Sequence, residues 1–354
     1  MNLELVDKIA RAVLYEGYML YPYRPSSVKN QQRWNFGVLY PRAYSELQTG
    51  SDAWSMQTEC LVEGSVLAAL EVRVKFLQMV ARSVGQLETT VHELPSDQIP
   101  DFHPVEKLEV NGRIFQPWQE AVEREVCLPI CSMETLSSQP LLHSFIFPEE
   151  KQYEPIADAT GKVPAILIRE RDLISGEITV TATSVGAELF KVCVSVRNTS
   201  TLENSSLLSR EQALLRSLVS AHTIMGVQDG KFVSAVDPPE ALREPAATCK
   251  NVGTWPVLVG IEGQRDTVLS SPIILYDYPQ IAPESSGDLF DGTEIDEILS
   301  LRIMTLTDEE KREMRESDER ASQILERTES LPVEQLMKLH GVLRGLRPVN
   351  EEVS

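Results

Sequence analysis

The chain has 354 residues, of which 42% are hydrophobic and 24% are charged, so it can bury a core and is not a disordered protein. Asp and Glu number 53 against 33 Lys and Arg, and the resulting net charge of -20 argues against a protein that reads a nucleic-acid backbone or lies on an anionic membrane. The first residues form no apolar signal segment, and no run approaches the roughly 18 apolar residues of a membrane span. We therefore expect a cytoplasmic protein of two domains with a helical appendage.

The first predicted unit, residues 1–150, opens with an amphipathic helix over residues 3–20 that ends before Pro22. Residues 66–84 then alternate, with Val72, Val74 and Phe76 opposed to charged neighbours. Residues 108–115 and 121–128 repeat that pattern. Together they predict an antiparallel sheet.

Prolines and acids between residues 139 and 161 predict a domain boundary, and a second unit over residues 151–292 follows. β-branched residues predict strands at 165–168, 178–183 and 189–196. The capping box of Ser209 and Gln212 predicts a central helix that ends near Gly226. Three short strands are expected after it, at residues 232–236, 255–261 and 273–276.

Residues 293–354 are predicted to form a helical C-terminal segment of three helices, because two capping boxes and Pro332 mark helix starts. The middle helix, residues 308–327, has few apolar residues and many charge pairs, which favours a solvated or partner-facing helix. The predicted fold class is α+β. It has an antiparallel β-rich core of sandwich-like sheets, an N-terminal helix, one central helix and the helical C-terminal segment.

A basic aromatic island is the most unusual part of the sequence. Eight aromatic residues lie between residues 15 and 44, and the cations there have no acidic neighbour between Glu16 and Glu46. Guanidinium groups among aromatic faces can hold a carboxylate through bidentate hydrogen bonds and cation–π contacts. The alternative is that the rings pack the first domain and the cations pair with internal carboxylates. The candidate binding residues are Tyr21, Tyr23, Arg24, Lys29, Arg33, Trp34 and Arg42.

Metal and catalytic signals are weak. Cys127 and Cys131 form the only close cysteine pair, and two thiols need two further ligands, such as His103 or His143, to complete a zinc site. The alternative is that these cysteines are small hydrophobic core residues. Acids between residues 277 and 297 are typical either of a calcium or magnesium site or of a helix cap with an acidic surface. Asp237 to Glu240 predicts a rigid turn, and no common catalytic motif occurs, so we predict no catalytic residue, metal or cofactor.

Several stretches together resemble one family. They are residues 21–30, 33–37, 39–42, 214–220, 232–234, 237–240, 251–258, 270–277, 287–291 and 293–299. The chain resembles accessory proteins encoded in bacterial high-affinity uptake NiFe-hydrogenase gene clusters. The resemblance implies a role beside hydrogenase assembly or operation and carries no catalytic residues over.

The sequence and this resemblance lead to one functional expectation. The chain is expected to be a non-catalytic accessory factor that binds a hydrogenase subunit or a maturation partner. The cations of the basic aromatic island would orient an acidic or C-terminal segment of that partner, while its Tyr and Trp rings supply contact area. The alternative is a metal-handling chaperone or enzyme that uses Cys127, Cys131 and a histidine, or the acids of residues 277–297.

Overall fold

The computed structural model describes residues 3–14, 37–48, 50, 52–95, 99–202, 209–280, 306–308, 311, 312, 315, 322, 325, 326, 329 and 330. The protein is mostly antiparallel β-sheet with few short helices. The described helices are α1 (Leu3–Leu14), α2 (Arg42–Ser45), α3 (Met133–Ser138), α4 (Arg210–Leu214) and α5 (Arg243–Ala247). A short 3-10 helix, Glu240–Leu242, precedes α5.

Fourteen strands lie within the described residues. They are β1 (Ser55–Val91), β2 (Phe102–Val105), β3 (Leu108–Val110), β4 (Arg113–Phe115), β5 (Trp118–Cys127), β6 (Cys131–Ser132), β7 (Leu141–Phe147), β8 (Glu150–Ile156), β9 (Val163–Arg171), β10 (Ile174–Gly186), β11 (Leu189–Asn198), β12 (Val219–Phe232), β13 (Trp255–Leu258) and β14 (Thr267–Ser271). All of them except the hairpin of β3 and β4 belong to one 12-stranded sheet.

The 37-residue strand β1 is the centre of this sheet. One edge of β1 pairs in turn with β11, β6, β5 and β2, and its other edge pairs with β12 and β9, always antiparallel. The pairing with β12 shifts register between Gly64 and Ala69. A single strand therefore organises nearly all of the described structure.

Alternation along β1 separates its two faces as the sequence predicts. Val72, Val74 and Phe76 are buried in the largest core cluster, where each contributes about 1.5–3 kcal/mol of stability. Arg73 and Lys75 point to the opposite face, where Arg73 pairs with Glu71. The predicted strand in residues 66–84 is thus confirmed and proves longer at both ends.

Helix α1 confirms the predicted amphipathic opening over Leu3–Leu14, while residues 15–20 lie outside the described part. Its apolar face, which includes Val6 and Ile9, packs on Ile224 of β12 and Leu269 of β14. The helix therefore covers one face of the sheet beside β1.

The predicted central helix is wrong beyond its first turn. The capping box of Ser209 and Gln212 is present, but α4 ends at Leu214 and the 14-residue strand β12 begins at Val219. The first nine residues of β12 are all buried, because one face packs into the main core and the other lies under α1. A strand buried on both faces lacks polar alternation, so its sequence resembles that of a buried helix.

The segment interpreted as a loosened boundary, residues 139–161, also differs from its prediction. It forms β7 and β8. Pro148 lies between the two strands, and Pro155 lies in β8, which pairs only with β9 among the described strands. Proline is tolerated in such an edge strand because no ladder hydrogen bond is lost.

Hydrogen bonding crosses the predicted boundary near residue 150. Strand β1 lies in the predicted first unit, yet it pairs with β9, β11 and β12 of the predicted second unit. The division into units 1–150, 151–292 and 293–354 stays a prediction.

In the C-terminal part of the second unit, the last strand lies at a different position in the sequence from the predicted one. Strand β14 lies at Thr267–Ser271, whereas the residues predicted as a strand at 273–276 have no regular structure.

The described residues from Asp308 to Ser330 are helical, and Leu325 is fully buried beside Leu14 and Tyr44. That burial contradicts a purely solvated helix over 308–327. Residues 281–305 and 331–354, with the predicted helices there, lie outside the described part.

Candidate protein-binding site

Of the candidate binding residues in the basic aromatic island, the structure describes Arg42. Tyr21, Tyr23, Arg24, Lys29, Arg33 and Trp34 lie outside the described residues. Arg42 is described and is exposed at the start of α2. Its Nε lies 2.6 Å from Glu46 Oε1, and its guanidinium lies 4.7 Å from the centroid of the Trp54 ring. An exposed pair of this kind is worth at most about 1 kcal/mol, so Arg42 could exchange Glu46 for another carboxylate.

Two other rings of the island pack inside the protein. Tyr40 and Tyr44 are buried with ring centroids 5.1 Å apart, in a cluster with Leu14 and Leu214. Burial raises the pKa of Tyr40 to about 12. Tyr40 and Tyr44 therefore agree with the alternative interpretation of the basic aromatic island, in which its rings pack inside the protein.

The two cysteines of the close pair differ, because Cys127 lies at the surface whereas Cys131 packs against the main core. Cys127 is exposed at the end of β5, so its interpretation as a core residue is wrong, and Cys131 is half-buried. Burial, followed by the charge of Glu125, raises the pKa of Cys127. Among the described residues no group of three or more His, Cys, Asp or Glu side chains could hold a metal ion.

A second group of thiols, Cys60, Cys193 and Cys249, is far apart in the sequence and comes together only in the folded protein. Cys193 faces Glu59 across the β1–β11 pair, and Cys249 lies close enough for its charge to act on both Cys193 and Cys60. Burial is the main cause that raises the pKa of Cys193 to about 11 and that of Cys249 above its usual range. These thiols stay protonated near neutral pH, which disfavours nucleophilic chemistry. No local spacing in the sequence indicates the group.

The acidic group of residues 277–297 is described only at Asp277. Its carboxylate accepts hydrogen bonds from Ser234 Oγ at 2.5 Å and from the Leu258 amide at 2.8 Å. The Asp237 amide donates to the same Ser234 Oγ at 2.8 Å. These contacts tie the loop of Asp277 to the loop of residues 234–237 and to the end of β13, which gives Asp277 a structural role.

Strand β7 is the feature that sequence reasoning missed. In the part of the chain that the structure describes, it pairs only with β10. Its seven residues carry no acidic or basic group except the imidazole of His143, and Leu142 and Ile146 on its outer face are 64% and 66% exposed. Edge strands are usually protected by charged side chains or proline against pairing with other chains. An unprotected apolar edge is suited to accept an added strand.

An aromatic cluster holds β7 in place from its inner face. The rings of Phe76, Phe145 and Phe147 lie 5.7 to 5.9 Å apart, two of the three contacts being edge-to-face. Phe145 lies against Gly176 of β10, where a Cβ atom would come within 2.2 Å of the Phe145 ring. The absence of a side chain at Gly176 is what lets the Phe145 ring approach β10, and this packing holds β7 against β10.

Arg124 of β5 lies beside the end of β7. Its Nε donates a 2.8 Å hydrogen bond to Gln78 Oε1, and its guanidinium lies 4.8 Å from the centroid of the Phe147 ring. Gln78 is itself fixed, because its Nε2 donates to the Asp172 carbonyl at 2.9 Å. The guanidinium is thus held in one orientation against β7.

Arg124 lies near one cation, Arg171, and one carboxylate, Glu150. Burial lowers the pKa of Arg124, the charge of Arg171 lowers it further, and the charge of Glu150 raises it. Arg171 pairs with Glu150, the nearby carboxylate. No described carboxylate forms an ion pair with Arg124, and its side chain is half-buried rather than immersed in water.

β5 and β7 each leave one edge without a strand partner among the described residues, since β5 pairs only with β1. The contact of Arg124 with Phe147 brings these two strands together. Residues 121–128 were predicted as a strand, but nothing local distinguishes Arg124 from the other cations of the sheet. The site exists because the fold brings residues 124 and 147 together.

None of the described helices is long and apolar enough to cross a bilayer. The chain matches no protein-family model, and no characterised protein is significantly similar to it in sequence. The resemblance to hydrogenase-cluster accessory proteins stays a prediction.

Proposed function

We propose that the chain is a non-catalytic accessory or assembly factor that binds a NiFe-hydrogenase subunit or maturation partner through β7. The observation that carries this proposal is the apolar, unprotected edge of β7 with Leu142 and Ile146 exposed on its outer face. The hydrogenase assignment comes from the family resemblance. The proposed mode of binding is based on the exposed apolar edge of β7.

Strand addition supplies both affinity and register. Main-chain hydrogen bonds would satisfy the free edge of β7, and the added strand would cover the side chains of Leu142 and Ile146. Because each side chain is about two-thirds exposed, covering it contributes about 1–2 kcal/mol. The aromatic cluster beneath β7 keeps the edge preformed, which reduces the entropy lost on binding.

The basic aromatic island keeps its place in the proposal as a second contact. Arg24, Lys29 and Arg33 would orient an acidic segment, and Tyr21, Tyr23 and Trp34 would add contact area. Arg42 supports that role, since its exposed ion pair with Glu46 can open at little cost. Two contacts on one partner would raise the overall affinity beyond that of either.

The test is a tagged pull-down from a host that expresses the whole gene cluster. The variant Leu142→Lys with Ile146→Lys places charge on the outer face of β7. The matched control, Val66→Lys with Leu67→Lys, changes two other exposed apolar residues, which are 49% and 71% exposed. We expect the β7 variant to lose the partner and the control to retain it, with both proteins melting close to the wild type.

Equal capture by the β7 variant and the wild type would contradict the proposal. A large fall in melting temperature confined to the β7 variant would show that another part of the chain covers this edge, and it would contradict the proposal equally.

A further inference from the structure

We infer that the segment captured by β7 carries an aspartate or glutamate that pairs with Arg124, an inference that rests on the proposed role of β7. The chemistry follows from three observations: a strand edge with no partner among the described residues, a guanidinium held beside it, and no ion pair between that guanidinium and a described carboxylate. The partner is thereby defined as an extended, apolar segment of another protein with one acidic side chain at a fixed position.

Strand geometry fixes that position. A residue directly opposite Phe147 on an added strand points to the same side of the sheet as Phe147. Arg124 lies over that ring, 4.8 Å from its centroid. A carboxylate at this position is therefore within reach of the guanidinium.

The same register assigns the apolar residues. Positions opposite Ile146 and Leu142 point to the outer face, where both side chains are exposed. The segment should therefore have an acidic residue next to an apolar residue, and a second apolar residue four positions from the first. Either strand direction satisfies this spacing, because the order simply reverses.

The charges favour an acid over any other group at this position. Arg171 is already paired with Glu150, whereas no described carboxylate pairs with Arg124. Gln78 accepts a hydrogen bond from Nε of Arg124, so this contact does not use the two terminal amino groups. These two groups match the two oxygens of a carboxylate. In a chain of net charge -20, a local cation of this kind can select an acidic segment that the rest of the surface repels.

The test uses four fluorescein-labelled, C-terminally amidated heptapeptides and the full chain. The first is Asp-Ile-Val-Thr-Thr-Leu-Thr, which pairs antiparallel from Phe147 to Leu141, and the second is its reversed sequence for parallel pairing. The other two carry Asn in place of Asp. Fluorescence anisotropy at 50 mM salt gives their affinities.

We expect the wild type to bind the better Asp peptide about tenfold more tightly than its Asn counterpart, since a charge-assisted hydrogen bond outweighs a neutral one. Arg124→Met should reduce this ratio to about one. The matched control is Arg113→Met, because Arg113 also stacks on a phenylalanine, at 5.0 Å from the Phe115 ring. That control should keep the tenfold ratio.

The outcomes separate the inference from the proposed function. Equal affinity of the wild type for Asp and Asn peptides overturns the inference and leaves docking at β7 intact. If no peptide binds and the Leu142→Lys, Ile146→Lys variant still captures the partner, both are overturned. A concentration-dependent dimer of the wild type that this variant abolishes would assign β7 to a second copy of the chain, against the inference. Because the comparison of Asp with Asn uses the wild type, it stands even if Arg124→Met does not fold.

Discussion

The buried imidazole of His222 should make the stability of the protein depend on pH. His222 lies on β12 without solvent exposure. Its Nδ1 lies 2.6 Å from the Ser220 carbonyl, which assigns the proton to Nδ1 because a carbonyl only accepts. Ser271 Oγ then donates to Nε2 at 3.1 Å and accepts from the Ile273 amide. Both nitrogens are satisfied in the neutral ring.

Burial lowers the pKa of His222 from 6.5 to about 4. Below pH 6.5 the unfolded chain binds a proton that the folded chain does not, so the free energy of unfolding decreases as the pH falls from 6.5 to 4. The stabilisation is fully present above pH 6.5 and is lost by about pH 4. A shift of this size corresponds to about 3 kcal/mol, at 1.36 kcal/mol per pKa unit.

Urea unfolding at several pH values between 7.5 and 4.5 measures this effect. Carboxylates also titrate in that range, so the informative quantity is the difference between wild type and His222→Gln. We expect the variant to lose about 2.5 kcal/mol of the pH dependence over this range, while His92→Gln, at an exposed histidine, keeps it. Identical pH dependence in the wild type and His222→Gln would refute the reasoning. The NMR titration of the His222 ring in the wild type gives the same answer if the variant does not fold.

Three further outcomes are expected. Gly176→Ala should destabilise by about 1–3 kcal/mol in urea unfolding, since its Cβ would displace the Phe145 ring, whereas Gly50→Ala has nothing within 4 Å to displace. Leu325→Ala should lower the free energy of unfolding by about 2–5 kcal/mol in the same measurement, because it leaves a cavity at a fully buried site. An unchanged free energy of unfolding would instead support the predicted solvated helix. Replacing Arg24 and Arg33 by Ala should weaken pull-down with little change in melting temperature, whereas a loss of about 3–5 kcal/mol in stability would identify them as internal counter-ions.

Most of the strands that the sequence predicts correctly have one buried face, whereas residues 165–168 of β9 are buried on both faces and are identified by their β-branched side chains. Residues 66–84, 178–183 and 189–196 alternate because neighbours on one side lie in the core and neighbours on the other meet water or charged partners. Periodicity is a local signal, and here it is sufficient. It fails for β12, whose two faces are both covered, because a continuous apolar run gives no alternation and can equally indicate a helix.

The candidate site could not be predicted in the same way. Prolines at residues 140 and 148 flank β7 and indicate a loop, although both lie outside the strand itself. The contact of Arg124 with Phe147 joins two strands separated by α3, and no spacing rule relates them. The binding residues predicted from composition alone, Arg24 and Arg33 among them, remain a separate hypothesis.

The length of β1 has a consequence for the synthesis of the protein. Its partners β11 and β12 begin only at Leu189 and Val219. At about 5–20 residues per second, a translating ribosome exposes β1 for several seconds before either strand emerges. During that interval β2, β5 and β9 can pair with the C-terminal part of β1, whereas residues 55–68 have no strand partner on either edge, because only β11 and β12 pair with them. Production of this protein should therefore depend on chaperones that bind nascent strands, and slower translation after residue 91 should increase aggregation in cells that lack them.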